Sequence, residues 1–286
     1  MLGNKVELSN GMVMPSLLQG LPLIGGLARI GKTEFLEIVK NTMTAGVFGF
    51  DTSHDYGMSE RYLKTAFKQL ANMGYSRNDY FVVSKIGNSQ QYEGNIDKYV
   101  DNSLKTMGLD YIDLMLLHWP TPGYYIDNWK KLEKAYNDGR VKSIGIANAQ
   151  VRHLQALMDS DIHVIPHVVQ TEIHPFNTCR DVRNYCQKNK IALQSCSSLC
   201  CMIEKVKKNP LLNELSGAYH RSIAQIMLRW LLQVDVVPVF RAFKEKHVKE
   251  ITSLFDFQLS QSDMDRIENL NEDYRYHPES LNCAGF

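Results

Sequence analysis

The 286-residue chain is 44% hydrophobic and 22% charged, and its 32 basic and 31 acidic side chains leave a formal net charge of +1. That balance gives no field for nucleic acid or an anionic membrane surface, and no apolar run approaches the ~20 residues that span a bilayer. The length suits two ordinary domains or one barrel near ~250 residues. Met1-Leu-Gly-Asn-Lys5-Val-Glu7 lacks the apolar core of a signal peptide, so a cytoplasmic protein is expected. The cysteines at 179, 186, 196, 200, 201 and 283 follow neither disulfide nor zinc spacing, which predicts reduced thiols and no bound metal.

In chain order, Lys5-Val-Glu-Leu-Ser-Asn10-Gly11-Met-Val-Met14 reads as a β-hairpin. Its Asn-Gly pair favours a tight primed turn, and such a hairpin could plug the bottom of a barrel. Strands are then predicted near 16–21, 47–52, 80–86, 112–118, 142–147, 167–173, 191–197 and 235–240. Amphipathic stretches lie between them. One follows a Thr33 cap, and another places Ile96, Tyr99, Val100 and Leu104 on one helical face. Two more, from Gln150 and from Ser222, keep the same period. The strand runs are apolar on both faces, as helix-covered parallel strands are. Eight strand–helix repeats predict a single (β/α)8 TIM-type barrel over residues 1–286, with an N-terminal hairpin and a short C-terminal tail. A doubly wound dinucleotide-binding sheet would carry Gly-x-Gly-x-x-Gly after its first strand, and Gly25 and Gly26 do not have that spacing.

Three apolar runs end on a reactive polar residue: Val47-Phe-Gly-Phe-Asp51, Tyr80-Phe-Val-Val-Ser-Lys85 and Leu114-Met-Leu-Leu-His118. The ends are 34 and 33 residues apart, one strand–helix–strand unit each. Strand C-termini of a parallel barrel open on one face, so these residues converge there, joined by Tyr56 in the loop after Asp51. One such residue alone would be an ordinary buried polar group. An acid, a phenol, an ammonium and an imidazole together make a proton-transfer site.

These residues carry a resemblance. Phe50-Asp51-Thr-Ser-His-Asp-Tyr56-Gly-Met-Ser-Glu60, Ser84-Lys85, Leu116-Leu-His118-Trp-Pro120, Gly139-Arg-Val-Lys-Ser-Ile-Gly-Ile-Ala-Asn148 and Val169-Gln170-Thr-Glu-Ile-His174-Pro175 resemble the signatures of the aldo-keto reductases. Gln225-Ile-Met-Leu-Arg229-Trp230 and Phe255-Asp-Phe-Gln-Leu-Ser-Gln-Ser-Asp-Met264 resemble that family's closing pattern. The resemblance runs from the hairpin to about residue 277. It implies a barrel that reduces aldehydes or ketones with a nicotinamide dinucleotide, NADPH being expected and NADH the alternative.

By the same resemblance, Tyr56 is the proton donor, Lys85 the cation beside it, Asp51 the ion-pair partner of Lys85, and His118 the group that orients the carbonyl. A phenol is a weak acid, with a free pKa of about 10, and a nearby ammonium favours its phenolate. Leu21, His54 and Trp119 are expected as substrate walls around a modest-sized carbonyl compound. Asn148 and Gln170 match the positions that hold the nicotinamide carboxamide, and Cys196, Ser197 and Leu199 flank the cofactor. Arg241 and His247 match the adenosine 2′-phosphate segment.

The pattern also departs from the family's. Ala147 stands where Ser is usual, Cys196 where an aromatic ring stacks on the nicotinamide, and Ala242, His247 and Ile251 where Ser, Arg and Asn are usual. Weakened cofactor affinity and a blunted NADPH preference follow. The brief segment 200–212 and the tail 274–286 predict an open, shallow pocket. Two other functions fit the same barrel: a non-catalytic nucleotide-binding sensor or partner subunit, and an isomerase or lyase that uses bound NAD(P) transiently. A monomer is expected.

Overall fold

Eight parallel strands hydrogen-bond in a ring in the computed structural model, which describes residues 5–24, 30–278, 283 and 286. An antiparallel hairpin, β1 (Lys5–Glu7) and β2 (Val13–Pro15), precedes them. The barrel strands are β3 (Leu18–Gly20), β4 (Gly49–Asp51), β5 (Phe81–Ile86), β6 (Leu114–Leu117), β7 (Ile144–Ala147), β8 (Val168–Glu172), β9 (Ala192–Cys196) and β10 (Val236–Phe240). β10 pairs with both β9 and β3, which closes the ring. Every strand falls inside its predicted segment, and the expected TIM-type barrel is what forms. Gly25 and Gly26 lie outside the described residues.

The helices wrap the outside: α1 (Lys32–Thr44), α2 (Ser59–Asn72), α3 (Asn88–Glu93), α4 (Ile96–Met107), α5 (Tyr125–Asn137), α6 (Val151–Met158), α7 (Arg180–Lys188), α8 (Glu204–Lys207), α9 (Pro210–Tyr219), α10 (Ile223–Gln233), α11 (Glu245–Thr252) and α12 (Gln261–Glu268). α4 buries Ile96, Tyr99, Val100 and Leu104 as its spacing predicts, and Asn95 caps it by accepting from the Lys98 N–H. Ser222 and Gln225 cap α10 reciprocally. The Thr33 cap is corrected. α1 starts at Lys32 with Gly31 as its N-cap, two residues before Thr33 and with no side-chain cap, so Thr33 already lies within the first turn.

Two apolar layers share the strands. Outward side chains such as Phe50, Val82 and Ile146 pack under the helices with Trp129 and Trp230, both fully buried. Inward ones, among them Leu18, Phe81, Val83, Leu114, Leu116 and Val168, fill the barrel. Leu8 and Met14 of the hairpin join this inner cluster from below, so the hairpin does plug the barrel. Burying each of these side chains contributes about 1.5–3 kcal/mol. Asn10 fastens the plug, its Nδ2 donating to the Lys142 carbonyl (2.9 Å) just before β7.

The expected primed turn is not the one used. Gly11 N–H donates to the Leu8 carbonyl (2.9 Å), Leu8 N–H donates to the Met12 carbonyl (2.8 Å), and only Gly11 of the pair has a positive φ, +80°. A three-residue loop with a left-handed glycine replaces the two-residue turn.

Among the described residues no helix is long and apolar enough to cross a membrane. All six cysteines are free thiols. A groove of about 530 Å³ borders the hairpin at the lower end, but it holds none of the reactive strand-end residues. The cavity at the strand C-termini, about 620 Å³, does.

Candidate active site

Alternation along β5 turns Val83 and Lys85 into the barrel, and Lys85 ends in the upper, polar layer of the interior. Its ammonium donates to Asp51 Oδ1 (2.6 Å) and to the Thr52 carbonyl (2.9 Å), and both side chains are almost fully buried. Burial, the largest influence on Lys85, works against its charge. Asp51 and the Tyr56 phenol outweigh it, so the lysine pKa rises and the ammonium persists. The other oxygen of Asp51 accepts from Gln170 Nε2 (2.8 Å), whose second hydrogen goes to Gln194 Oε1 (2.8 Å). A buried carboxylate thus has a cation on one oxygen and an amide on the other, the pairing such a charge requires.

Tyr56 is carried by the loop after β4. Ile24 N–H donates to the Tyr56 carbonyl (3.1 Å), and Met58 N–H donates back to the Ile24 carbonyl (3.0 Å). Between them Gly57 adopts φ +61°, and a Cβ there would stand 1.9 Å from the Ile24 oxygen, so only glycine fits. The phenol ring lies 5.2 Å from Lys85 Nζ and 6.0 Å from the His118 ring, in an edge-on arrangement. His118 Nδ1 is 3.1 Å from Asp55 Oδ2, and the His118 carbonyl accepts from Asn148 Nδ2 (2.9 Å). Burial is the largest cause of a lowered His118 pKa, and the Lys85 charge adds to it against the pull of Asp55.

Asp51, Tyr56, His118, Trp119, Asn148, Gln170, Cys196, Ser197, Leu199 and Arg241 therefore border one cavity, with Lys85 behind Asp51. Burial, chiefly, pushes the Cys196 thiol up to about 12, so it faces the cavity uncharged. The Arg241 guanidinium lies 5.7 Å from the Tyr56 ring centroid, and among the described residues no carboxylate is within 4.0 Å of it.

Three expected residues are placed elsewhere. Leu21 is fully buried in the outer core, because its N–H extends the ladder to the Asp51 carbonyl (2.8 Å); Leu23, half exposed, borders the cavity instead. His54 turns away to Gln90 and to the edge of Tyr99, 6.1 Å between ring centroids. His247 sits on the exposed side of α11, paired with Glu250 (3.4 Å), and does not border the cavity.

Among the residues at the mouth that were not anticipated, Asp55, Glu172, His277 and, behind Trp119, Phe286 bear on the site. Asp55 faces His118. Glu172 ends β8 and accepts from the backbone N–H groups of Tyr276 (2.5 Å) and His277 (3.0 Å). Burial is the largest influence on Glu172 and works to raise its pKa, but hydrogen bonds from His174 and these two amides hold the carboxyl below its usual range. The clamp brings His277 to the cavity. Phe286 stacks edge-on against Trp119 (5.6 Å) and near His153 (4.5 Å). The short tail contributes His277 to the cavity wall. Glu172 follows the polar pair Gln170-Thr171 rather than an apolar run, so the signal that marks Asp51 does not mark it, and Phe286 has no such signal either.

Phe286→Ala is expected to raise KM about 2–10-fold for substrates that rest on Trp119, the worth of one aromatic pair, with kcat changed less. Steady-state kinetics on carbonyl substrates of increasing size would check it.

A parallel barrel whose strand ends and first loop gather a buried lysine–carboxylate pair, a phenol and an imidazole at one cavity defines a (β/α)8 fold with its reactive groups on the C-terminal face. Its lineage is plain from comparison: the family model described as Aldo/keto reductase family matches residues 18–272, and the chain belongs to that family. It is an NAD(P)H-dependent oxidoreductase. A glyoxal reductase of Bacillus subtilis is 37% identical, covering 97% of this chain and 96% of its own length. A methylglyoxal reductase of Salmonella typhimurium is 30% identical, covering 98% of both chains. The crystal structure of a Bombyx mori aldo-keto reductase in complex with NADP superimposes with a TM-score of 0.89 at 25% identity, covering 98% of this chain and 97% of that one.

Proposed function

We propose that the chain reduces a small aldehyde or ketone, of the size of glyoxal or methylglyoxal, to its alcohol with NADPH, and that Tyr56 gives the proton to the carbonyl oxygen. The observation that carries this reading is the Lys85 ammonium, fixed 2.6 Å from Asp51 Oδ1 and 5.2 Å from the Tyr56 ring. A cation held there stabilises the phenolate left when the proton departs. Asp51 and Thr52 keep the ammonium from swinging into the cavity. His118 and Trp119 border the space where the carbonyl would sit and orient it.

The residues on the cofactor side fit a nicotinamide dinucleotide, which supplies the hydride that no side chain can. Both hydrogens of the Gln170 amide are committed, so its Oε1 is the atom free to accept from a carboxamide N–H. Asn148 can offer its carbonyl oxygen beside it. An uncharged Cys196 presents an apolar surface to the ring in place of an aromatic stack. Arg241, with no carboxylate within 4.0 Å among the described residues, has the fork that grips phosphate.

The glyoxal and methylglyoxal reductases among the relatives support small carbonyl substrates, and the cavity of about 620 Å³ lies in the range of about 300–1,000 Å³ usual for small-molecule sites. The test is to mix purified protein with NADPH or NADH and a series from glyoxal to larger ketones. Stoichiometric oxidation of NADPH, faster than of NADH, with alcohol as product is the expected outcome. Binding without consumption would leave a nucleotide-binding module, and product without net consumption an isomerase or lyase.

A further inference from the structure

Asp55 immediately precedes Tyr56, and its carboxylate has a built place. Both of its oxygens lie 2.2 Å from where a Cβ on residue 87 would stand. Gly87 has φ −70° and ψ 168°, a conformation open to every residue, so the glycine is required for room rather than for backbone shape. In that space Asp55 Oδ2 approaches His118 Nδ1 to 3.1 Å, an ordinary N–H···O distance. The Ser53 hydroxyl, 3.4 Å from the same nitrogen, accepts from the Asp55 N–H (3.1 Å) and steadies the turn.

An ionised carboxylate only accepts hydrogen bonds, so the nitrogen facing it carries the proton. Burial works to raise the Asp55 pKa, but the hydrogen bond and charge of His118, with His54 and Lys85, bring it below the usual value. The neutral imidazole then has its lone pair on Nε2. A carbonyl oxygen also presents lone pairs, so neutral His118 in this tautomer cannot donate to it. It can accept from a hydroxyl.

We propose that Asp55 is a positioning residue that locks neutral His118 as the Nδ1–H tautomer, making the imidazole a proton acceptor at the reacting oxygen when neutral and a donor only after a second proton binds Nε2. In reduction, the imidazolium donates a hydrogen bond from Nε2 to the carbonyl oxygen while Tyr56 transfers the proton. In alcohol oxidation, neutral Nε2 accepts from the alcohol O–H. The charged and titratable groups facing His118 are Asp55 and Tyr56 from the loop after β4, Asp51 at the end of β4, and Lys85 on β5. Of these titratable groups Asp55 is the one hydrogen-bonded to the ring nitrogen that decides the tautomer, at 3.1 Å against 3.4 Å for the uncharged Ser53 hydroxyl.

The kinetic part rests on the carbonyl-reduction reading; the tautomer does not, and the experiment separates them. Nitrogen NMR of isotope-labelled protein, above the His118 pKa, is expected to place the proton on Nδ1 in the wild type and in Asp55→Asn, which keeps an acceptor there. In Asp55→Leu it should move to Nε2. Gly87→Ala, which evicts the carboxylate without removing a titratable group, should match Asp55→Leu. For reduction, wild-type kcat/KM should fall about tenfold per pH unit above the His118 pKa. Asp55→Asn should keep this limb at lower pH, because the imidazolium has lost its counter-charge. Asp55→Leu should flatten it to less than about threefold across the same range, since neutral Nε2–H can now donate. A wild-type proton on Nε2, or a wild-type pH profile in Asp55→Leu, would overturn the assignment. The stated tautomers in a protein that turns over no carbonyl would support the role of Asp55 and overturn carbonyl reduction instead.

Discussion

Tyr56→Phe is expected to lower kcat for carbonyl reduction by ~10²–10⁴-fold, the usual worth of a positioned general acid. The substitution removes one oxygen and little else. The contacts that hold the ring, with Lys85 at 5.2 Å, Arg241 at 5.7 Å and His118 at 6.0 Å, are made to its face and edge and survive in phenylalanine. Gly57 and Ile24 hold the loop through backbone groups that the change does not touch. Nucleotide affinity, read by fluorescence titration, should therefore be nearly unchanged while single-turnover reduction collapses. Unchanged turnover would remove Tyr56 from the chemistry, and equal loss of binding would make it a structural residue.

The second large effect is expected from Lys85→Met. The methionine fills the space but leaves the Asp51 carboxylate buried with the Gln170 amide as its remaining side-chain partner. Stranding one member of a buried ion pair costs about 3–5 kcal/mol. At roughly 2–4 °C per kcal/mol for proteins somewhat smaller than this one, Tm should fall on the order of 10 °C. Pairing it with Asp51→Asn removes the stranded charge, so most of the stability should return while turnover does not. A single variant as stable as the wild type would show that the ion pair does not carry this stability. The pH dependence has a definite sign. Because the folded pKa of Lys85 is raised, the pair's contribution is complete below the unfolded lysine value of about 10.4 and fades only as pH climbs through the folded one.

The barrel was legible in the chain because its signal is redundant. Each strand is buried on both faces, so Phe81-Val-Val and Leu114-Met-Leu-Leu read as unbroken apolar runs, and eight of them at regular spacing leave little topological choice. Asp51, Lys85 and His118 stood out because each interrupts such a run at the same end. Loops have no comparable period. The direction of His54 is decided by Gln90 on α3, thirty-six residues away, and Leu21 differs from Leu23 by one more ladder hydrogen bond. The Asn10-Gly11 turn failed for a similar reason. Its type follows from the Leu8–Met12 closure and the fixing of Asn10 to Lys142, neither of which is local to the dipeptide. Asp55 was in view within the Tyr56 loop, but its meaning depends on the vacancy at Gly87, visible only in three dimensions.

The hairpin beneath the barrel also governs solvation. Leu8 and Met14 cover the lower end, and Val83 and Leu116 fill the interior above them. The Asp51–Lys85 pair therefore rests on apolar packing from below, while Asp51 borders the cavity at the strand C-termini. Water kept from the underside of a buried ion pair leaves its charges less screened. A plug of two apolar side chains, far from any reacting atom, thus sharpens the field felt at the rim.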